Sequence, residues 1–466
     1  MKYISTRGLA QPVDFEGALL AGLAPDGGLY VPAETPRLTD EDFAAIADAP
    51  YWRTAALVIS KFTGAAFDRA KLEKMARDVY GRFDAPETAP LTKVGDEDWI
   101  LELFHGPTLA FKDFAMQLLG AMFDDVLGRD DQRLTILAAT SGDTGAAAID
   151  ALKACANVNI VVLHPRGRVS EVQRLMMTSV DAPNVMNIAV EGSFDDCQAI
   201  VKQLFADEAF ARAVDLGGVN SINWARIAAQ TVYYFTASAA VGGGPVNYVA
   251  PTGNFGDIYA GYVARCMGLN INRLVVAVNA NDILHRALAE GDYSPRGVKP
   301  TISPSMDIEV ASNFERLLFD VVDRDSERLR ALMNDLAKTR ALRLSDEQRA
   351  RIAADFISAT TSEDETRDEI IRHQRETGAL IDPHTAVARS AARALRGAGH
   401  LTGKVITLST AHPAKFPDAV TAACGVRPKL PTAHIDLMSS KEHMKTAPAD
   451  TDVIKQMVGD FAARKP

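Results

Sequence analysis

The chain has 466 residues, more than the roughly 250 to 300 at which one hydrophobic core stops growing, so two or three domains are expected. Its 50 basic and 60 acidic residues give a net charge of -10, and no block of basic residues stands out. This balance argues against nucleic acid or an anionic membrane as the main partner, and it favours small-molecule chemistry.

The cysteines and the N-terminus indicate a reducing compartment. Cys155, Cys197, Cys266 and Cys424 are widely scattered without C-x-x-C spacing, so neither a disulfide framework nor a zinc site is expected. The first residues lack the apolar segment of a signal peptide, and no uncharged apolar run approaches the roughly 18 residues of a membrane span. We therefore expect a soluble, unprocessed, cytoplasmic protein with reduced thiols and no metal.

Residues 1–92 are predicted to form a small N-terminal α+β domain. It begins with a short strand at residues 2–4, and a turn region rich in Gly and Pro covers residues 22–32. Helical patterns follow at residues 40–48, 52–63 and 68–80.

From residue 99 onward, short β-rich runs alternate with amphipathic helices, which is typical of parallel sheets with helical crossovers. Strands are predicted at residues 99–104, 134–139, 159–163, 186–190, 246–250, 273–278 and 404–409. Helices are predicted near residues 112–127, 144–156, 169–179, 195–206, 224–241 and 257–267. Residues 320–378 are charged and helical in pattern, and their acidic run at 362–369 is interpreted as a solvated face.

Lys112 is the most informative residue, because it is a single cation among Phe104, Phe111 and Phe114. An ammonium group in an apolar setting loses hydration, which lowers its pKa and makes the free amine a nucleophile able to form a Schiff base. Alternatively, Lys112 is a helix-start lysine whose stem packs on the aromatic rings while its head reaches water. The residues alone leave both interpretations open.

Residues 140–145, with the sequence TSGDTG, follow the predicted strand 134–139 and open an alanine-rich helix. A strand, a turn of small residues and a helix N-terminus form an anion-binding site, because unpaired N–H groups point towards the ligand. The hydroxyl groups of Thr140, Ser141 and Thr144 add donors. A helix cap without a ligand is the alternative.

Residues 251–257, with the sequence PTGNFGD, repeat this arrangement after the strand 246–250. Gly253 and Gly256 flank two residues whose N–H groups can form a concave site for a phosphate. The segment is neither a Walker A loop nor a G-x-G-x-x-G motif. A plain strand-to-helix turn is the alternative.

Two further segments carry candidate binding residues. Residues 220–226, with the sequence NSINWAR, lead into a long helix. Arg226 with its neutral neighbours suits a dianion, and a helix cap with a surface arginine is the alternative. Residues 405–416, with the sequence VITLSTAHPAKF, place Thr410 at the carboxyl end of a strand, where ligands of α/β sheets bind. His412 and Lys415 in this segment receive no role.

Taken together, these segments identify the chain as similar to the threonine synthase family. Residues 102–113 resemble the lysine segment of that family, and residues 3–8 and 27–32 resemble its N-terminal signature. The other motifs match in the same order. The resemblance implies an α/β fold of pyridoxal-phosphate (PLP) fold type II, related to the tryptophan synthase β subunit. Residues 93–425 would then be a catalytic region of two subdomains with the active site between them, and residues 426–466 a C-terminal extension packing on it.

The resemblance also implies roles for individual residues. Lys112 would hold PLP as a Schiff base. Asp143 would lie near the phenolic oxygen of the cofactor, where relatives often carry Asn, and Thr410 would face its pyridine nitrogen. The 5′-phosphate would bind Gly253, Asn254, Phe255, Gly256 and Asp257. The substrate carboxylate would bind Thr140, Ser141 and Thr144, and the substrate phosphate would bind Asn220, Ser221 and Arg226.

The implied activity is that of a PLP-dependent carbon-oxygen lyase acting on phosphates, in the last step of threonine biosynthesis. O-phospho-L-homoserine and water would give L-threonine and phosphate by γ-elimination and β-addition of water. The freed Lys112 amine would move the α- and β-protons, and closure of the pocket would exclude bulk water. The enzyme is expected to be a monomer or homodimer.

Two alternatives remain at this point. A related PLP-dependent phospholyase would share every loop and differ only in whether water is added back. A non-catalytic nucleotide-binding α/β protein would use the two glycine turns for a dinucleotide.

Overall fold

The strands form three sheets in the computed structural model, which describes residues 1–129 and 132–464. In chain order the strands are β1 (Tyr3–Ser5), β2 (Tyr30–Pro32), β3 (Leu91–Lys93), β4 (Asp98–Glu102), β5 (Leu134–Ala139), β6 (Val158–Pro165), β7 (Val185–Glu191), β8 (Leu216–Gly217), β9 (Val246–Pro251), β10 (Ile271–Val278), β11 (Phe356–Thr360), β12 (Lys404–Ser409) and β13 (Lys445–Pro448).

The helices are numbered in the same way. They are α1 (Phe15–Ala21), α2 (Asp40–Ala47), α3 (Tyr51–Thr63), α4 (Arg69–Tyr80), α5 (Lys112–Arg129), α6 (Asp143–Leu152), α7 (Glu171–Thr178), α8 (Phe194–Ala206), α9 (Glu208–Ala213), α10 (Trp224–Ala240), α11 (Gly256–Cys266), α12 (Ile283–Glu290), α13 (Phe314–Val321), α14 (Ser326–Thr339), α15 (Asp346–Ala353), α16 (Glu363–Thr377), α17 (Pro383–Gly397), α18 (Pro417–Cys424) and α19 (Thr451–Ala462). Short 3₁₀ helices lie at Pro304–Met306, Pro413–Lys415 and Thr432–Ser439. Within the described ranges, no helix has the length and apolar character needed to cross a membrane.

Two of the sheets are built almost wholly from parallel strands. The larger has the order β11-β10-β9-β12-β4-β3, in which only β3 runs antiparallel to its neighbour. The other has the order β13-β7-β6-β5-β8 and is parallel throughout. A parallel neighbour requires a crossover connection, which explains why helices separate most of these strands in the sequence.

Helices cover both faces of the six-stranded sheet. Val249 and Val275 pack in a cluster with Val387 of α17. Tyr248, the neighbour of Val249, instead belongs to the main core with Ile258 of α11. Because successive side chains of a strand point to opposite faces, α17 and α11 lie on opposite sides. The five-stranded sheet is covered by α6 on one face and by α8 and α19 on the other. The predicted fold class is confirmed.

The N-terminal elements share their core with the rest of the chain. The strands β1 and β2 pair antiparallel, and α1 to α4 follow the expected α+β pattern. The hydroxyl of Tyr3 donates to the backbone oxygen of Phe62 at 2.8 Å, and its ring lies 6.1 Å from that of Trp224 in α10. The predicted boundary at residue 92 falls inside β3, which already belongs to the six-stranded sheet.

All seven strands predicted from residue 99 onward are present, and β5 and β12 have the predicted bounds. Two expectations are wrong. The turn region 22–32 contains β2, which needs its partner β1 to form, and the segment 320–378 contains β11, which extends the sheet beside β10. The helix predicted over 144–156 ends at Leu152.

The acidic run 362–369 is only partly a solvated face. Ser362 caps α16 and is exposed, as expected. Glu369, however, is buried, and its Oε1 lies 2.9 Å from Nε of Arg393 and 3.6 Å from Nε of Arg389. The composition of the run does not reveal these partners, because they lie on α17.

The cysteines differ in burial. All four are free, Cys155 and Cys197 are buried, and Cys266 and Cys424 are half-buried. The expectation of core thiols is therefore confirmed for two of them.

Candidate active site

The sequence motifs meet in one cavity between the two parallel sheets. Lys112 and Asp143 begin the helices that follow β4 and β5, while the glycine-rich turn follows β9 and Thr410 follows β12. Each position is at or beyond the carboxyl end of a strand, where open α/β sheets bind ligands. The cavity is lined by Phe111, Lys112, Asp143, Thr144, Ser221, Arg226, Gln230, Pro251, Thr252, Gly253, Asn254, Phe255, Gly256, Asp257, Ser305, Met306, His384 and Thr410.

Lys112 lies inside the protein with its amine at the cavity. The residue is 8% exposed, and its Nζ lies 2.9 Å from Oδ2 of Asp143 and 4.8 Å from the ring centroid of Phe111. Burial lowers the pKa of Lys112, and the Asp143 carboxylate opposes that shift. The lysine head therefore faces Asp143 and the cavity rather than the outer surface of the protein.

Asp143 is the most heavily bonded group at the cavity. Its Oδ1 accepts from Nε2 of Gln173 at 2.9 Å and pairs with Nζ of Lys415 at 2.7 Å. Its Oδ2 accepts from Lys112 and, at 3.3 Å, from the hydroxyl of Ser305. Burial alone would raise the pKa of Asp143, but the neighbouring ammonium groups of Lys112 and Lys415 hold it well below its usual range.

The turn after β9 presents unpaired backbone donors. Phe255 has a left-handed φ of 64° and precedes α11 without making a side-chain cap. In the described parts of the chain, the N–H groups of residues 253–256 donate to no protein acceptor. Such a set of N–H groups at a helix start suits a phosphate.

The next residue of this turn, Asp257, bonds inwards. Its Oδ1 accepts from the hydroxyl groups of Tyr233 at 2.6 Å and Tyr234 at 3.0 Å, and its Oδ2 is buried without a partner in the described residues. Burial raises the pKa of this carboxyl to about 6, although the two tyrosine hydrogen bonds act in the opposite direction.

Arg226 is a buried cation with no described carboxylate beside it. It is 3% exposed, Nη1 donates to the backbone oxygen of Val219 at 3.2 Å, and Nε has no partner within residues 1–129 and 132–464. Burial lowers the pKa of this guanidinium to about 10. Buried charges are normally paired, so this group favours an anionic ligand in the cavity. Ser221 also lines the cavity.

Some of the predicted substrate residues lie outside the cavity lining. Thr140 is buried, and its Oγ1 accepts from the N–H groups of Gly142 at 3.0 Å and Gly145 at 2.9 Å, so it braces the turn. Ser141 is half-buried and Asn220 is exposed. Their contacts with substrate stay predictions.

Several lining residues were not anticipated from the sequence. Gln230 lies one helical turn beyond Arg226, with its Oε1 buried and unpartnered in the described chain, and the i,i+4 spacing from Arg226 was the available signal. Ser305 and Met306 lie in the short 3₁₀ helix Pro304–Met306, which carries no motif. Only the tertiary fold brings that segment to the cavity.

His384 also lines the cavity and was not anticipated. Its Nδ1 lies 2.6 Å from Oδ2 of the fully buried Asp382, and its Nε2 accepts from the N–H of Ser305 at 3.2 Å. These two contacts assign the proton to Nδ1. The imidazole therefore connects the start of α17 to the segment that carries Ser305.

Family models match nearly the whole chain. The model described as threonine synthase N terminus matches residues 2–80, and that described as threonine synthase, C-terminal matches residues 385–458. Between them, the model of pyridoxal-phosphate dependent enzymes matches residues 89–361.

Individual relatives agree with this over their full length. The threonine synthase of Pseudomonas aeruginosa is 46% identical over 467 residues, covering 100% of this chain and 99% of the relative. The crystal structure of PLP-bound threonine synthase from Brucella melitensis superposes with a TM-score of 0.96 at 47% identity, covering 100% of both chains. The yeast threonine synthase structure gives a TM-score of 0.93 at 36% identity and covers 99% of both chains.

Proposed function

The chain belongs to the threonine synthase family of PLP enzymes, and from this premise we propose that it converts O-phospho-L-homoserine and water into L-threonine and phosphate. The observation that supports this most directly is the pairing of two buried groups at one cavity. The Lys112 amine suits attachment of a carbonyl cofactor, and the unpartnered Arg226 guanidinium suits a phosphorylated substrate.

The residues at the cavity fit PLP. The unpaired N–H groups of residues 253–256 are suited to its phosphate, Lys112 to its carbonyl carbon, and Thr410 to its ring nitrogen. Asp143 would contact its phenolic oxygen. When bound there, PLP supplies an electron sink that stabilises negative charge on the carbon atoms of the substrate.

Lys112 carries the proton transfers in this proposal. Its Nζ takes the proton from the α-carbon of the substrate and then moves the proton of the β-carbon. A lysine performs this role only as a neutral amine, and burial favours that form. The hydrogen bond that Nζ donates to Oδ2 of Asp143 fixes the position of the amine.

The remaining groups bind the substrate. Arg226 and Ser221 hold the phosphate that leaves from the γ-carbon, with Asn220 approaching from the exposed side. Thr144, assisted by Thr140 and Ser141, holds the carboxylate at the start of α6. Lys112, Asp143 and Arg226 are buried, which keeps bulk water away from the reacting atoms. A single water molecule then adds to the β-carbon.

The proposal includes three parts of the chain. Residues 1–92 form the N-terminal domain, 93–425 the catalytic region and 426–466 the C-terminal extension. In support, β13 extends the five-stranded sheet beside β7, and α19 packs on α8. We place the enzyme in the cytoplasm as a monomer or homodimer.

Product analysis tests the activity. The PLP-loaded protein is incubated with O-phospho-L-homoserine, and the products are separated. Threonine and phosphate in equal amounts support the proposal. A 2-oxo acid, ammonia and phosphate without threonine would instead identify a phospholyase, which eliminates phosphate but adds no water at the β-carbon.

A further inference from the structure

Lys415 is a buried cation with no assigned role, and it shares the carboxylate that binds Lys112. It is 0% exposed in a 3₁₀ helix, and its Nζ lies 2.7 Å from Oδ1 of Asp143 and 2.6 Å from the backbone oxygen of Thr108. Nζ of Lys112 donates to Oδ2 of the same carboxylate. One negative charge therefore lies between two lysines.

The Asp143 carboxylate and the proposed chemistry favour opposite protonation states of Lys112. A carboxylate 2.9 Å from Lys112 favours the ammonium form, because an opposite charge stabilises a charged neighbour. The proposed chemistry requires the neutral amine. An amide at position 143 would avoid the conflict, but this chain carries an acid there.

The other charged groups around Lys112 do not remove the conflict. Arg226 acts in the same direction as Lys415, since its charge disfavours a second cation. In the proposed function, however, its charge is matched by the phosphate of the substrate. Asp257, on α11, bonds to tyrosine hydroxyl groups, and the imidazole of His384 bonds to Asp382.

We propose that Lys415 is a positioning residue that neutralises Asp143, so that the carboxylate orients the Lys112 amine without holding it in the protonated form. Asp143 and Lys415 together act as a neutral hydrogen-bonding unit. Its two charges lie on different subdomain elements, α6 and the segment after β12, so the unit also ties the two parallel sheets together at the cavity. This inference rests on the proposed role of Lys112.

Competitive acetylation of the cofactor-free, full-length protein tests it. Trace acetic anhydride is added at a series of pH values, and mass spectrometry follows the peptide that contains Lys112. In Lys415→Met the labelling midpoint should move up by at least about one pH unit, which is about tenfold less labelling at any pH below the midpoint. Lys415→Arg should keep the original midpoint, because it keeps the charge.

A second pair of variants tests the proposal even if Lys415→Met does not fold. In Asp143→Asn the Lys415 charge is left without its carboxylate, so the Lys112 midpoint should fall below that of Asp143→Asn/Lys415→Met. Equal midpoints in this pair, or an unchanged midpoint in a folded Lys415→Met, would overturn the proposal. Because labelling requires neither PLP nor turnover, its outcome is separate from that of the product analysis.

Discussion

The Nζ of Lys112 lies 2.9 Å from Oδ2 of Asp143, although the two residues begin helices that follow strands of different sheets. The contact joins the six-stranded sheet, through the loop after β4, to the five-stranded sheet, through the turn after β5. A change in how the two sheets pack would therefore alter the position of the amine directly.

Lys112→Ala should fold but lose turnover. Asp143 keeps Lys415, Gln173 and Ser305 as partners, so no bare carboxylate is left in the core. The variant lacks the amine that attaches PLP and moves protons, and any PLP retained would be held through its phosphate. Steady-state kinetics, thermal unfolding and PLP content after gel filtration measure the three effects.

The control for this variant is Lys74→Ala, which changes a surface lysine with a side chain 80% exposed. Its kinetics should match those of the unmodified protein. Activity of Lys112→Ala near that level would contradict the assignment of the attaching lysine.

Arg226→Ala should weaken use of the phosphorylated substrate by about 10- to 150-fold. Charged hydrogen bonds contribute roughly 1.5 to 3 kcal/mol, at about 1.4 kcal/mol per factor of ten. Arg226→Lys should recover only part of the loss, because a point charge lacks the planar fork of the guanidinium. Stability should barely change, since in the described chain Nε of Arg226 has no partner and Nη1 donates only to the backbone oxygen of Val219. The measurement is kcat/KM with O-phospho-L-homoserine.

Binding of unphosphorylated homoserine serves as the comparison for Arg226→Ala, followed through the visible spectrum of PLP. That binding and the PLP content should be unchanged. If all amino acids bind more weakly, or PLP is lost, Arg226 supports the cofactor site or the scaffold instead. Arg212→Ala, on the exposed face of α9, is the matched substitution expected to have no effect.

Gly253→Val should reduce PLP retention, whereas Thr144→Val should spare PLP and raise KM. A Cβ on Gly253 would lie 2.7 Å from the backbone oxygen of Ser305 and 3.2 Å from Cα of Met306. The substitution therefore pushes the turn and the Ser305–Met306 backbone apart. Thr144 lines the cavity from the other sheet. PLP dissociation constants and KM values distinguish the two effects, and equal PLP loss in both variants would show that the cofactor and substrate loops are wrongly divided.

Asp257→Asn should remove part of the pH dependence of stability. An acid whose pKa rises from 3.8 in the unfolded chain to about 6 on folding binds more protons when folded. The folded state therefore loses stability as the pH rises from about 4 to about 6, by up to about 3 kcal/mol at about 1.36 kcal/mol per unit. The amide keeps the oxygen that accepts from Tyr233 and Tyr234.

Denaturant unfolding of the PLP-free protein between pH 4 and pH 7 checks this prediction. The unmodified protein and Asp257→Asn should be similarly stable near pH 4, and the variant should be the more stable one near pH 7. Asp364→Asn, with a side chain 95% exposed, is the control. Parallel pH profiles for the unmodified protein and Asp257→Asn would show that Asp257 does not titrate in this range.

The sequence by itself determined the parallel α/β class, the seven strands from residue 99 onward and the four turns that carry the main cavity residues. Long apolar strands and glycine-rich turns before helices are local signals, because their cause lies in the conformations of neighbouring residues. The lowered pKa expected for Lys112 followed from the aromatic residues next to it in the sequence. Burial of Lys112 in the structure acts in that direction on its pKa.

Only the tertiary structure decided which side chains face the cavity and how their charges are balanced. The partners of Asp143 come from α5, α7 and two separate 3₁₀ helices. The most distant of them in the sequence, Lys415, is 272 residues away (415 minus 143). The sequence also did not predict the burial of Glu369, the pairing of β11, or the approach of Ser305 and His384. Each depends on contacts between segments distant in the chain, for which residue type and spacing carry no signal.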